Sequence, residues 1–442
     1  MFNGVHLNDG NIRDGDAEEA RFRRPRRVVV TGLGAVTPLG ADVPELWQGL
    51  LDGRCGVREL AGEEFADQPV RIAAPVTVDP ATLIPRAQAR RMNRSALLAV
   101  IAAREAWQDA GLGLADAQEG RVAADRAGIS MGTIIGGAPV LVDADRRLRD
   151  KGPRYVPPLA AAMTVPSQAA SQISIDLHLT GEARTVTSAC ASGTEAIGNA
   201  IDRIRYGHLD MALAGGSEAV LTPTVMGAFA AMRALSTRND EPYGASRPFD
   251  KARDGFVHGE GAGVLLLEAE EHALARGARI YCEAAGWGLS ADAHHMAAPD
   301  PTGAGIVRAL RAALRDADAT TRDIAHVNAH ATATVEGDLA EARALREVLE
   351  GHDAAARPVP VTSLKGHFGH LQGAAGGVEA VASVLTLHHG LIPPTLGCEN
   401  LDDAIGLDVV TTVPRPVPED GNLVLSNSFG FGGHNAVLAF RR

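Results

Sequence analysis

An α/β fold is what this sequence predicts, and three observations predict it. Short β-branched runs alternate with alanine-rich stretches at helical spacing along the whole chain. The composition, 45% hydrophobic and 22% charged, is an ordinary soluble profile with apolar mass for a sizeable core. No low-complexity segment or clean linker breaks the series, so one compact body is expected rather than separable modules.

Taken in order, residues 1–26 read as a disordered polar tail, and "RRVVVTGLG" opens the first strand near Arg27. Paired arginines before an apolar segment resemble an export signal, but no A-x-A-like site follows and "TPLG" breaks the run. A helix is expected over Arg94–Ala110, then strands at "RAGISMGTII" and "RTVTSA", and a helix over Ser192–Tyr206. The strands "MALAGGSEAV", "GAGVLLLEA" and "IYCEAAGWGLS" come next. Helices at Gly305–Asp316, Asp338–Leu349 and Gly376–His388 surround the strand "AHVNAHATA", and "NLVLSNSFGFGGHNAVLAF" closes the chain with strands. Each half holds a strand, a long helical crossover and a buried-looking strand ending in a reactive residue type, Cys190 in the first and His330 in the second.

Several function classes are excluded early. No apolar run reaches the roughly 18 residues of a membrane span. A net charge of −12 argues against nucleic acid as partner. Four cysteines without a CxxC pair disfavour a disulfide framework and a structural zinc site, and fit a reducing cytosol. Within "IPRAQARRMNRSALLAV", Arg86, Arg90, Arg91 and Arg94 fall mostly three or four apart, on one side of a predicted helix. This is either a docking patch for an acidic partner or a solvated face.

Cys190 stands at the change from "RTVTSA" to the helical pattern of "SGTEAIGNAIDRIRYG". At such an elbow the helix dipole and free N–H groups favour the thiolate, and the small neighbours Ala189, Ala191, Ser192 and Gly193 leave room for a substrate. A buried core thiol is the competing reading. His330, followed by Thr332 and Thr334, and His370, five residues after Lys365, both lie at strand-like ends. The threonine hydroxyls serve either an extended polar ligand or a turn. Two such histidines with an elbow cysteine point to a Cys-His-His acyl-transfer site. The glycines of "LSNSFGFGGHNA" suit an oxyanion hole or a plain hairpin turn.

Other signals carry less. Gly32 and Gly34 imitate a dinucleotide fingerprint, but Thr37 stands where a third glycine belongs and no helix pattern begins there. "GEGAG" runs into a strand rather than a phosphate-binding helix. The pairs His294–His295 and His388–His389 are expected to diverge rather than chelate.

From about Arg27 to Phe440 the chain resembles the elongating, type II β-ketoacyl-acyl carrier protein synthases. "TSACASGTEAIGNA", "RALSTRNDEPYGASRPFDKARDGFVHGEGAGVLLLE", "NAHATAT" with "GD", "SLKGHFGHLQGAAGGVE" and "NSFGFGGHNA" fall in that family's order and spacing. The resemblance implies a thiolase-like fold with two pseudo-symmetric halves in a five-layered αβαβα arrangement. Residues 27–277 would carry the nucleophile and 278–442 the two histidines. It implies a decarboxylative condensation of an acyl group, held as a thioester on Cys190, with a malonyl carrier protein, in fatty-acid, specialised lipid or polyketide elongation.

The same resemblance assigns roles. His330 and His370 would hold the malonyl thioester carbonyl, with Lys365 positioning them. The N–H groups of Cys190 and Phe431 would form the oxyanion hole, and the Phe431 ring would gate acyl entry. Thr332 and Thr334 would contact the phosphopantetheine arm, and Ile135 would line the acyl pocket near a dimer interface. Asn328, Glu379, Ser426 and Asn427 match a structural Na+ or K+ site of some members. Arg86, Arg90 and Arg91 would dock the acyl carrier protein. No cofactor is required beyond the carrier's phosphopantetheine, and a cytoplasmic homodimer, or a heterodimer with a related subunit, is implied. Ala331, the filling of "KGHFGH" and His434 depart from the common pattern, which leaves primary and specialised pathways both open. The competing readings are a non-condensing partner subunit, which typically lacks the cysteine, and a thiolase, which needs a second catalytic cysteine.

Overall fold

Alternation at every second residue sets the layering of this molecule. The computed structural model describes residues 25–349 and 358–442. Among these, eleven strands form one mixed sheet: β1 (Val28–Val36), β2 (Ala127–Gly132), β3 (Ala183–Val186), β4 (Met211–Glu218), β5 (Gly261–Ala269), β6 (Cys282–Ala291), β7 (Ile324–Asn328), β8 (Pro360–Thr362), β9 (Asp408–Val409), β10 (Leu423–Gly430) and β11 (His434–Arg441). Their spatial order is β9-β8-β7-β10-β11-β6-β1-β5-β4-β2-β3.

The order hides a repeat. In the first half β2 pairs parallel with β3 and β4, and β5 joins β4 to β1 by antiparallel pairing. In the second, β7 pairs parallel with β8 and β10, and β11 joins β10 to β6 by antiparallel pairing. The two half-sheets meet only where Val29 and Val30 of β1 face Glu283 and Cys282 of β6. The faint symmetry of the sequence is therefore a repeat of strand pairing.

The principal helices are α1 (Val43–Leu51), α2 (Arg94–Asp109), α3 (Ala138–Lys151), α4 (Gln168–Leu177), α5 (Ser192–Arg205), α6 (Pro223–Ala231), α7 (Ala304–Asp316), α8 (Val335–Leu349) and α9 (Ala375–His389). On β5, Leu265 and Leu267 join a core with α5 and α9, while Val264 and Leu266 pack with α2 and α4. On β11, Leu438 and Phe440 face the same central core, and Val437 and Ala439 face α7 and α8. The result is five layers, helix, sheet, helix, sheet, helix, with α5 and α9 in the middle. The sequence of α9 agrees, because nearly every residue from Ala375 to Leu387 is apolar or small and all of them are buried.

Several expectations need correction. A helix does follow the glycines of β1, since Asp42 caps α1, but both neighbours of β1 run antiparallel, so no parallel dinucleotide-binding unit exists. The arginine stretch is not one helix: a short helix over Arg86–Ala89 stops before Asn93, whose side chain caps α2. Arg86, Arg90 and Arg91 remain exposed, whereas Arg94 is bonded to buried Glu260. Of the expected tail, residues 1–24 lie outside the described residues, and Arg26 belongs to the body through Asp210, Glu271 and the Arg205 carbonyl. His294 and His295 sit in the loop after β6, and the His388 and His389 rings meet edge-to-face at 4.9 Å rather than diverging. Helices α1, α3, α4 and α6 have no counterpart in the sequence reading.

Candidate active site

The elbow is built by backbone geometry. After β3, Ala189 takes a left-handed φ of 51°, a conformation open to few L-residues, and so turns the chain toward α5. Ser192 fastens the turn by accepting from the Ser188 N–H at 2.9 Å and donating to the Ala189 carbonyl. Cys190 is left two residues before α5, with its thiol buried.

The loop between β10 and β11 closes over it. A Cβ on Gly430 would lie 2.8 Å from the Ser188 oxygen and 3.0 Å from the Cys190 nitrogen, so only glycine permits this approach. The N–H groups of Phe431 and of Cys190 itself both face the sulfur. The glycine-rich stretch is thus a hairpin and a donor of N–H groups at once.

His330 follows β7, and Glu341 of α8 accepts from the N–H groups of His330 at 3.0 Å and Ala331 at 2.7 Å. His370 follows a short helix over Lys365–Phe368 and is pinned in register beside His258, its N–H donating to the Val257 carbonyl at 2.7 Å. The two rings stand edge-to-face, centroids 5.3 Å apart. The Gln372 N–H donates to His370 Nδ1 at 3.3 Å, which places the ring proton on Nε2, and that nitrogen has no partner among the described residues.

One cavity of about 490 Å³ is bordered by Cys190, His330, His370, Thr332, Thr334 and Phe431. Lys365 and Ile135 are not on its wall. Lys365 is fully buried, with Nζ 2.5 Å from Glu379 Oε1, and acts on the site through its charge. Ile135 lies half-buried, its N–H facing the Glu218 carboxylate. Cys55, Cys282 and Cys398 are also off the wall.

Electrostatics corrects the expected thiol chemistry. Burial pushes the Cys190 thiol up to about 12; the Lys365 charge and the two backbone N–H groups pull it down, and Glu218 adds to the rise. The helix terminus does not outweigh the loss of water, so the resting sulfur is a neutral thiol. Burial, the Lys365 charge and a neighbouring imidazole (His370 for His330, His258 for His370) hold both histidines well below the usual imidazole range. Both rings are neutral at physiological pH and available as hydrogen-bond donors.

A second cluster lies behind the histidines. Asn328 Oδ1, Glu379 Oε2, Ser426 Oγ and Asn427 Oδ1 are buried and without hydrogen-bond partners among the described residues, and Asn328 sits opposite Ser426 across β7 and β10. The Asn328 amide donates to the Glu379 carbonyl at 3.1 Å, which draws the set together. Four orphaned buried oxygens fit a hard monovalent cation better than they fit each other.

Sequence reasoning missed Glu341, Gln372, His258 and the aromatic wall of Phe229, Phe256 and Phe429. Only Glu341 left a signal: with Asp338 it forms an i,i+3 acidic pair on the buried face of α8, bordered by Ala342 and Leu345.

Comparison with known proteins agrees with this geometry. Residues 25–273 match the family model for the beta-ketoacyl synthase N-terminal domain, and residues 281–399 that for the C-terminal domain. The chain is 42% identical over 418 residues to a 3-oxoacyl-[acyl-carrier-protein] synthase 2 of Synechocystis sp., covering 94% of this chain and 98% of that protein. It is 41% identical to the protein of the same name from Vibrio cholerae, covering 94% and 99%. Among solved structures, a beta-ketoacyl synthase from Burkholderia phymatum superposes with a TM-score of 0.85 at 36% identity. A type II polyketide synthase acyl-carrier protein in complex with its ketosynthase, bound to the hexaketide, gives 0.85 at 32%. Each covers 94% of this chain and 99% of the other.

Proposed function

The chain belongs to the beta-ketoacyl synthase family, and from that premise we propose a decarboxylative condensation in which Cys190, His330 and His370 do the chemistry. The enzyme is a 3-oxoacyl-[acyl-carrier-protein] synthase, an acyltransferase that joins an acyl group to a malonyl unit carried by acyl carrier protein. The observation that carries the site reading is the meeting, on one cavity, of a thiol, two neutral imidazoles and two backbone N–H groups.

In the first half-reaction Sγ of Cys190 attacks the acyl thioester carbonyl. The oxyanion that forms is held by the N–H groups of Cys190 and Phe431, and the carrier's thiol departs with the proton. In the second, the malonyl carbonyl oxygen accepts hydrogen bonds from His330 and His370 while carbon dioxide leaves. The enolate carbon then attacks the acyl-cysteine carbonyl and expels the Cys190 thiolate. No strong base is needed, because decarboxylation makes the carbanion in place, so neutral imidazoles suffice. Thr332 and Thr334, their hydroxyls 3.1 Å apart at the cavity wall, receive the phosphopantetheine arm. The Phe431 ring, stacked at 6.0 Å on Phe229, gates the acyl entrance, and Ile135 borders the acyl chain of the loaded enzyme toward a partner subunit.

Asn328, Glu379, Ser426 and Asn427 would hold a Na+ or K+ ion, which would supply a fixed positive charge behind the strand end that presents His330. Exposed Arg86, Arg90 and Arg91 dock the acidic carrier. The halves divide in the connection between β5 and β6, near residue 277. The enzyme works in the cytoplasm as a homodimer; no helix among the described residues is long and apolar enough to cross a membrane.

Mass spectrometry of the protein incubated with acyl carrier protein tests this reading. An acyl adduct on the Cys190 peptide, absent from Cys190→Ala, is expected, with ketoacyl product on adding malonyl carrier. A Cys190→Ala protein that still condenses overturns it. A non-condensing subunit is disfavoured by the thiol on the cavity wall, and a thiolase by the position of the other three cysteines off it.

A further inference from the structure

One side chain joins the nucleophile to a histidine that the condensation does not use. Gln372 Oε1 lies 3.7 Å from Cys190 Sγ and accepts its S–H, while Gln372 Nε2 lies 3.0 Å from His258 Nδ1. His258 is fully buried between aromatic rings, edge-on to Phe229 at 4.7 Å and to Phe256 at 5.2 Å, and its Nε2 has no partner among the described residues. A polar chain in such surroundings costs stability that aliphatic side chains would not. Packing alone does not account for it.

The amide turns Oε1 to the sulfur and Nε2 to His258, which makes His258 Nδ1 the acceptor and leaves its ring proton on Nε2. An acceptor there stabilises S–H and opposes S−, since hydrogen bonding to the neutral form disfavours the charged one. The other titratable and charged groups facing Cys190 are Lys365, Glu218 and the two cavity imidazoles, of which Lys365 favours the thiolate and Glu218 opposes it. The backbone of Gln372 is separately committed, at φ 55°, to the hydrogen bond on His370.

We propose that Gln372, oriented by His258, is a positioning residue that keeps the Cys190 thiol protonated in the unloaded enzyme and releases it on acylation. When the sulfur bonds to the acyl carbon, the carrier's C–S bond breaks and the thiol proton leaves with the carrier's sulfur. The hydrogen bond to Oε1 then has no donor, and the guard is off. The unloaded enzyme is thereby shielded from stray electrophiles. This inference rests on Cys190 being the acyl acceptor.

The test is the pH dependence of Cys190 alkylation by iodoacetamide, followed on the Cys190 peptide of the full chain. Gln372→Leu retains the backbone N–H to His370 and removes both the acceptor on the sulfur and the partner of His258 Nδ1. Its alkylation inflection should fall by about half a pH unit or more, with about threefold faster alkylation below the inflection. His258→Leu frees the amide to turn its N–H toward sulfur, so its inflection should fall as well. Gln372→Met, similar in length and lacking the amide, should lower it too and keeps the test open if a leucine variant fails to fold. Unchanged or slowed alkylation in the folded leucine and methionine variants overturns the proposal. If the parent chain alkylates normally yet takes no acyl group from carrier protein, the condensing function fails instead.

Discussion

At the scale of single residues, the buried ion pair of Lys365 and Glu379 is the most exposed to mutation. Burial pushes the Glu379 carboxyl up to about 7 while Lys365 pulls it down. Lys365→Met strips that buried carboxyl of its ammonium partner, and in buffer free of Na+ and K+ should cost about 3–5 kcal/mol in denaturant unfolding, with part recovered in the double variant Lys365→Met, Glu379→Gln. The neutral histidines make a kinetic prediction. Because His330 and His370 are held well below the ordinary value of about 6.5, the acid limb of malonyl decarboxylation should lie below pH 6. A pH profile with a histidine-like inflection between about 6 and 7 contradicts the site as described. Cys190, His330 and His370 were legible because reactive types stood beside small residues and strand ends. The state of the thiol was not, because a helix terminus can be read from sequence and the depth of burial cannot. His258 and Gln372 left no pattern, since they meet only in three dimensions.

At the scale of elements, the central helices cross where side chains are missing. A Cβ on Gly377 would lie 2.4 Å from the Gly263 oxygen and 2.6 Å from the Gly216 nitrogen, both backbone atoms of strands that cannot give way. Gly377→Ala should therefore cost about 1–3 kcal/mol in chemical denaturation, and should slow condensation by shifting α9 and the loop carrying His370. Nine of the eleven strands are legible as β-branched or apolar runs, whereas β8 and β9, three and two residues long, are too short to carry a pattern. Helices α3 and α4 leave a blurred pattern because apolar Leu141, Leu148 and Ile175 fall on their exposed faces, and α6 leaves none because it is apolar nearly all round. Arginine spacing alone predicts one helix where the capping Asn93 begins a second.

For the whole molecule, a net charge of −12 makes Arg86, Arg90 and Arg91 a local exception. Reversing all three to Glu should raise KM for carrier-bound substrate about tenfold or more and leave a small pantetheine thioester unaffected, with the difference shrinking at high salt. Acid stability is also collective. His258, His326, His330, His367 and His370 refuse protons that the unfolded chain accepts near pH 6.5, so their contribution is lost as pH falls below that value. Glu105, Glu218, Asp338, Glu341 and Glu379 are raised by burial, so theirs is present below about pH 4.5 and lost as pH rises. The two sets, equal in number, oppose each other in between. The urea midpoint should stay nearly flat from about pH 5 to 6.5 and drop steeply below about 4.5, where the histidine slope is joined by carboxylates held low by arginine partners, such as Asp210 and Glu268.

The middle layer also has a meaning for synthesis. Its apolar seam is shared by both half-sheets, with α5 contributed early in the chain and α9 late. On the ribosome the first half emerges with one face of its sheet bare, and it waits for the roughly 160 residues from Cys282 to Arg442. At ordinary elongation speed that wait is about ten to thirty seconds, long enough for a nascent chain to need a chaperone's cover.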